Sequence, residues 1–104
     1  MRKYAAVFRA LADPTRRQIL EELRRGELAA GEIGSRFAIS APSISRHLAV
    51  LKAAELVRER REANRIIYRL EAQTLISSLN GYLSAVCPTQ LRVRRGVSRR
   101  RSSA

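Results

Sequence analysis

The sequence is poor in the residues on which enzymes, disulfide-rich proteins and metal sites depend. Its 104 residues include one cysteine, one histidine and no tryptophan. A single cysteine cannot form an internal disulfide, so nothing indicates an oxidising compartment. The only aspartate, Asp13, is placed to cap a helix, and no glycine-rich phosphate loop is present. We therefore expect neither an enzyme nor a cofactor-binding protein.

Long hydrophobic runs are absent as well. No unbroken apolar segment reaches the length that crosses a membrane. Charges are interspersed through the N-terminal residues, where a signal peptide would carry an apolar stretch. We expect a cytoplasmic protein with one ordinary domain and no membrane insertion.

Acidic residues are scarce, whereas arginine is abundant. The chain has 21 Lys and Arg residues against nine Asp and Glu, which gives a net charge of +12. So basic a small chain favours a polyanionic partner, most often nucleic acid. Residues 92–104 carry six arginines and no acid, which predicts a disordered basic tail that adds phosphate contacts or merely solubilises the chain. Residues 1–91 keep 15 basic and nine acidic residues, so the predicted domain is itself basic.

Hydrophobic periodicity and capping residues predict a mainly α fold with a small β-hairpin. The predicted helices cover about residues 2–12, 14–25, 30–38, 40–51 and 72–87, and the predicted strands cover residues 56–61 and 65–70. The third and fourth helices are joined only by Ile39-Ser40, as in a helix-turn-helix. A basic hairpin after them is the wing of a winged helix-turn-helix domain, in the order α-α-α-α-β-β-α.

The fourth predicted helix has the character of a DNA-recognition helix. Ile44, Leu48 and Leu51 form one buried stripe, and the opposite face is small, polar or basic. Small side chains let a helix approach base edges in the major groove, and its N-terminus favours phosphate. The predicted DNA-binding residues are Ser40, Pro42, Ser43, Ser45, Arg46 and His47. The alternatives are a solvated helix face, a capping role for Ser43 and a structural role for His47.

The hairpin adds a second basic surface. Arg61, Asn64 and Arg65 lie at its predicted tip, where they could contact the DNA backbone or minor groove, or form a charged loop. The predicted connection is Glu62-Ala63-Asn64, in which Asn64 tolerates the positive φ of a tight turn. Arg16 and Arg17 fit either phosphate contacts or pairing with Glu21.

The first and last predicted helices have apolar faces that no further element is left to cover. These faces predict a two-fold dimer, which would present two recognition helices to a palindrome. The predicted interface consists of Tyr4, Val7, Phe8, Leu11, Leu75, Leu79, Tyr82, Leu83 and Val86. Cys87, at the end of the last helix, is either a small apolar terminus or a thiol that could join two subunits.

Two runs of the sequence are distinctive. The first is FRALADPTRRQIL at residues 8–20, and the second is SISRHL at residues 43–48, followed by Leu51, Ala54, Leu56 and Val57. Both runs resemble the ArsR-type winged-helix repressors, and the resemblance covers about residues 4–87. The hairpin end IYRL at residues 67–70 is similar to the wing of that family. The resemblance implies a homodimeric DNA-binding repressor that is released by a signal.

The sequence departs from the metal-sensing members of that family. Those members use cysteines near the third helix, or His with Asp or Glu on the last helix. Residues 27–33 read ELAAGEI without cysteine, and residues 72–87 contain no histidine or aspartate. Glu27 and Glu32 alone lack the soft or imidazole ligands that transition metals prefer. The resemblance is therefore to the metal-independent, SdpR-like branch, which implies an autorepressor.

Two other functions remain compatible with the charge. One is a non-specific DNA- or RNA-binding accessory protein, although RNA recognition favours exposed stacking aromatics and this chain has only three Tyr and two Phe. The other is a winged-helix protein-interaction module. Under the favoured interpretation the partners are double-stranded DNA, a second copy of the chain, and an inducer or partner protein of unidentified chemistry.

Overall fold

The computed structural model describes the backbone of residues 2–87 and the side chains of residues 5–87. In that range the helices are α1 (Arg2–Leu11), α2 (Pro14–Leu23), α3 (Ala30–Ser35), α4 (Ala41–Ala53) and α5 (Ala72–Val86). The strands are β1 (Leu28–Ala29), β2 (Val57–Glu62) and β3 (Arg65–Leu70). This order confirms the predicted fold class. The arginine-rich tail predicted at residues 92–104 lies outside the described residues.

The hairpin belongs to a three-stranded antiparallel sheet with the order β1-β3-β2. β1 was missed from the sequence, because two residues are too short a run to show alternation. It pairs Leu28 with Tyr68 and Ala29 with Ile67, so the segment before α3 is tied to the centre of the wing.

The turn at the hairpin tip differs in detail from the prediction. Glu62 pairs with Arg65 across a two-residue loop. The positive φ, 58°, falls on Ala63 rather than on Asn64. Hairpin turns of one common type require a positive φ only at the first loop position, and that position is occupied here by alanine.

The core is built where the helices meet the base of the wing. Ile19, Ile33, Leu51 and Leu56 are fully buried. Val7 is only 1% exposed and packs in the same cluster, so its side chain has no free surface for a second copy. Its predicted place in the dimer interface is therefore corrected, because the stripe of α1 that contains Val7 faces its own domain. None of the helices in residues 2–87 is long and apolar enough to cross a membrane.

The end of α4 is a Schellman motif whose left-handed residue is a glutamate. The Leu56 N–H donates to the Leu51 carbonyl at 3.0 Å, and the Glu55 N–H donates to the Lys52 carbonyl at 2.9 Å. Glu55 has a φ of 62°. That conformation costs a residue with a Cβ about 1–2 kcal/mol.

Glu55→Gly is expected to stabilise the domain by about 1 kcal/mol, because glycine adopts this conformation without steric cost. The thermal midpoint should rise by about 4–8 °C for a domain of this size. The matched control is Glu55→Ala, which removes the carboxylate but keeps the Cβ, and it should not raise the midpoint. Equal stabilisation by the two variants would assign the effect to charge rather than to the backbone.

Candidate nucleic-acid interface

The N-terminal half of α4 presents a small, polar and basic face. Ser40 caps the helix, and its side chain accepts a hydrogen bond from the Ser43 N–H at 3.3 Å. Pro42 fits the first turn, where a missing N–H is not needed. The burial of Ile44 and Leu48 turns the opposite side outward. Of the predicted DNA-binding residues on this helix, the exposed ones are Ser40, Pro42, Ser45 and Arg46, and the half-buried ones are Ser43 and His47.

Hydrogen bonds join three of these side chains along one face of the helix. The Ser40 hydroxyl donates to the Ser43 hydroxyl at 3.2 Å, and Arg46 Nη2 donates to the same Ser43 oxygen at 3.2 Å. Ser43 therefore combines the predicted capping contact with a contact that holds Arg46. A guanidinium has five N–H donors, so this bond leaves four donors of Arg46 for a ligand.

The arginines of the wing fall into two groups. Some form ion pairs with glutamates, and others are exposed at the tip. Arg60 lies 2.8 Å from a Glu27 carboxylate oxygen, and Arg58 and Arg69 both approach Glu71. The hydrogen bond that Arg60 donates to the Glu27 carboxylate raises the pKa of Arg60, which stays charged. The other two predicted wing arginines, Arg61 and Arg65, are exposed at the tip together with Asn64. Within residues 5–87 no carboxylate lies within ion-pair distance of either arginine.

An exposed ion pair joins the wing to the recognition helix. Lys52, in the last turn of α4, places its Nζ 3.0 Å from Oε2 of Glu59 on β2. The hydrogen bond from Lys52 lowers the pKa of Glu59, although partial burial opposes the change. Burial and the nearby Glu59 carboxylate raise the pKa of Tyr68 on β3, so its hydroxyl stays protonated. Helix α4 and strand β2 are thus linked at the surface by one side-chain contact, which is worth little because both groups are partly exposed.

Asp13 starts α2 as the sequence predicts. Its carboxylate accepts hydrogen bonds from the Thr15 N–H at 2.7 Å and the Arg16 N–H at 3.2 Å. Desolvation acts to raise the pKa of Asp13, but these backbone hydrogen bonds outweigh it and the pKa is lowered. The carboxylate therefore remains ionised and orients the first turn of α2, which carries Arg16.

Arg16 connects the end of α1 with the recognition helix. Its Nε donates to the Ala10 carbonyl at 2.8 Å, and its Nη2 donates to the Arg9 carbonyl at 2.9 Å. Its Nη1 lies 3.3 Å from Nδ1 of His47 on α4. His47, which the sequence assigned either to DNA or to structure, thus has a structural contact on one ring nitrogen.

Arg17 supports the same end of α1 from the other side. Its Nη1 donates to the Leu11 carbonyl at 2.7 Å. Neither Arg16 nor Arg17 is paired with Glu21 in the described part of the chain, so that expectation is replaced by carbonyl capping. Sequence patterns did not reveal these contacts, because the partners are backbone oxygens.

A second surface of the domain is apolar and is formed by α1 and α5. The rings of Phe8 and Tyr82 meet edge to face with centroids 4.9 Å apart. Tyr82 and Leu83 are each 43% exposed, Val86 is 58% exposed and Ile76 is 51% exposed. Ile76 was not among the predicted interface residues, although it continues the same stripe. Leu11, Leu75 and Leu79 are half-buried beside it, and the side chain of Tyr4 lies outside the described side chains.

The two glutamates near α3 are engaged in other interactions. Glu27 is paired with Arg60, and Glu32 Oε1 accepts a hydrogen bond from the Ala29 N–H at 2.7 Å. The second contact satisfies the N–H of Ala29 itself, as the glutamate of a capping box does. In the described part of the chain, His, Cys, Asp and Glu form no cluster of three or more that could hold a metal ion. Cys87 is exposed at the end of α5.

Comparisons with known proteins agree on the kind of domain. A family model described as a helix-turn-helix domain matches residues 11–60. The transcriptional repressor SdpR of Bacillus subtilis is 45% identical over 80 residues, which cover 77% of this chain and 89% of SdpR. An ArsR-like transcriptional regulator from Rhodococcus has a solved structure with 30% identity and a TM-score of 0.75, covering 93% of this chain and 91% of the other. The crystal structure of an ArsR family transcriptional regulator superposes with a TM-score of 0.77 and 25% identity, covering 86% and 91% of the two chains.

Proposed function

Because the chain belongs to the ArsR family of winged helix-turn-helix transcriptional regulators, we propose that it is a dimeric repressor that binds an inverted-repeat operator. Family membership itself makes the chain a DNA-binding transcriptional regulator and not an enzyme. We further propose how the chain reads DNA and that it forms a dimer. We also propose that it represses transcription and that it has no metal-sensing site.

The exposed face of α4 is the observation on which the proposal rests. Arg46 and Ser45 are exposed on the first turns of a helix whose other side is buried. An arginine that donates two hydrogen bonds to O6 and N7 of guanine is the commonest specific protein–DNA contact. We assign base reading to Arg46 and Ser45, close packing against the DNA to Pro42, and phosphate contact to His47. Ser40 and Ser43 hold this face in place.

The apolar α1–α5 surface supports a homodimer. Exposed Ile76, Tyr82, Leu83 and Val86 lie on one stripe of α5, and Phe8 of α1 packs beside them. A contiguous apolar surface of this kind commonly marks an interface. A two-fold pairing through it presents two α4 helices, and two half-sites then follow about 10–10.5 base pairs apart or at multiples of that spacing.

Repression is supported by the likeness to SdpR, whose name states that it is a transcriptional repressor. An operator that overlaps a promoter would be occluded by the bound dimer, and the chain's own promoter is the first candidate. Footprinting on the DNA upstream of its gene should show two protected half-sites related by an inverted repeat. A single protected half-site, or uniform protection, would contradict the proposed symmetry.

A metal-independent mode of regulation is supported by the side chains around α3 and α5. Glu27 and Glu32 are already held by Arg60 and by the Ala29 N–H. Two carboxylates without sulfur or imidazole ligands also make a poor transition-metal site. The releasing signal would then be a small molecule or a partner protein.

Arg61→Ala combined with Arg65→Ala is expected to weaken binding to the operator and binding to scrambled duplex to the same extent. Exposed wing arginines would neutralise phosphates, and such contacts carry no sequence information. The slope of log affinity against log salt should fall by about one unit for each arginine removed. Arg58→Ala, at an arginine paired with Glu71, is the matched control and should leave the slope nearly unchanged. A loss confined to the operator would instead assign base reading to the wing.

The arginine-rich tail, residues 92–104, is proposed to add phosphate contacts. Its six arginines carry half of the chain's net charge of +12. Deleting it should lower the affinity for operator, scrambled duplex and RNA alike, while preserving the preference for the operator. If removal of the tail abolishes all binding, the alternative of a non-specific nucleic-acid binder takes precedence.

A further inference from the structure

The contact between Arg16 and His47 restricts the chemistry of the histidine ring. A guanidinium has only hydrogen-bond donors, so the ring nitrogen 3.3 Å from Arg16 Nη1 must accept. An accepting Nδ1 carries no proton. The neutral ring then has its proton on Nε2, and Nε2 is the only donor that His47 can offer to another molecule.

We propose that Arg16 is a positioning residue for DNA binding, which selects the Nε2–H tautomer of the neutral His47 ring and so presents a ring N–H donor from the recognition helix. The inference rests on the proposed role of α4 in DNA binding. Arg16 then acts on DNA binding through His47, and its guanidinium does not contact a DNA phosphate.

The geometry of Arg16 explains why an arginine is required. Three of its nitrogens act in three directions, toward the carbonyls of Arg9 and Ala10 and toward His47. A lysine has one ammonium and cannot reach all three acceptors from a single point. The planar fork thus locks the ring of His47 relative to the end of α1.

The same side chain connects the two surfaces used in the proposed function. Arg16 binds the last carbonyls of α1, and the Phe8 ring of that helix packs against Tyr82 of α5. At its other end Arg16 touches His47 of α4. A shift of α1 within the proposed dimer would therefore move Arg16 and weaken its selection of the Nε2–H tautomer.

Arg17 provides a matched control. Like Arg16, it is an arginine of α2 that donates to a carbonyl of α1, here at Leu11, although it is exposed where Arg16 is half-buried. Arg17→Ala removes the same charge. Its hydrogen bond runs to α1 and not to His47. Only Arg16→Ala and Arg16→Lys are therefore expected to change the environment of the histidine ring.

The first test is nitrogen-15 NMR of the full-length, DNA-free protein labelled at histidine, at a pH where the ring is neutral. The chain has a single histidine, so the spectrum reports His47 alone. The unaltered protein and Arg17→Ala should show essentially only the Nε2–H tautomer. Arg16→Ala and Arg16→Lys should shift the Nδ1 resonance and admit the second tautomer. A protonated Nδ1 in the unaltered protein, or identical spectra for all variants, would overturn the proposal.

The second test measures operator affinity in a double-mutant cycle. His47→Ala should bind about tenfold more weakly, as expected for a lost hydrogen bond to a charged phosphate, and Arg16→Ala should lose no more than that. Because Arg16 acts through His47, combining it with His47→Ala should cost little more than the larger single effect. Multiplicative losses would overturn the proposal. If the unaltered protein shows no operator preference, the proposed function is wrong. The NMR spectra of His47 still test, independently of DNA, whether Arg16 selects the ring tautomer.

Discussion

Leu83→Glu is expected to separate the proposed dimer into monomers and to weaken operator binding by about 100-fold or more. Leu83 lies in the middle of the exposed apolar stripe of α5. Two-fold pairing would bring the new carboxylate against the apolar face of the second copy, where burying an unpaired charge is costly. Without the dimer, each α4 binds its half-site alone and the gain from simultaneous contact is lost. Analytical ultracentrifugation gives the oligomeric state, and fluorescence anisotropy gives the affinity.

The control for this variant is Ser77→Glu on the same helix. Ser77 is exposed, but it lies off the apolar stripe. The added charge is the same, so Ser77→Glu should remain a dimer and keep most of its affinity. A Leu83→Glu protein that stays dimeric would show that the two copies pair through another surface.

Arg46→Ala is expected to weaken binding to the operator by about tenfold, with a much smaller loss on random duplex. A bidentate contact to guanine contributes about 1–3 kcal/mol of discrimination. The hydrogen bond from Arg46 to Ser43 holds the guanidinium on the exposed face before DNA arrives, which lowers the cost of ordering a long side chain on binding. Anisotropy titrations of both duplexes at one salt concentration measure the difference.

Lys52→Ala is the control for the loss of one positive charge from α4. Lys52 lies in the last turn of the helix and is paired with Glu59, away from the N-terminal face. Lys52→Ala should lower the affinity for operator and for random duplex equally, and only slightly. If Arg46→Ala also weakens both equally, Arg46 contacts a phosphate and does not read a base.

The elements that carry a strong local signal could be predicted from the sequence. The start of α4 follows from a serine cap and an early proline, and its buried stripe follows from apolar residues at helical spacing. The apolar stripe of α5 was visible for the same reason. These two signals locate the recognition face of α4 and the apolar stripe of α5. Each signal could be found because it depends on residues within one helix.

The features that the sequence did not reveal depend on distant partners or on backbone atoms. β1 exists because Leu28 and Ala29 pair with β3, which lies far along the chain. Val7 fits the α1 stripe by spacing, but packing against the other helices buries it. The contacts of Arg16 with carbonyls and with His47 leave no residue pattern, since any residue supplies a carbonyl. Periodicity identifies the face of a helix but not what covers that face.

The most direct test is the affinity of the full-length chain for the DNA upstream of its own gene, measured by fluorescence anisotropy at physiological salt. Scrambled duplex and RNA serve as competitors, with and without residues 92–104. A sequence-specific repressor should prefer the operator by at least about 10³-fold, and the preference should persist when the tail is removed. Equal binding to all three nucleic acids, lost with added salt and with the tail, would contradict a sequence-specific repressor.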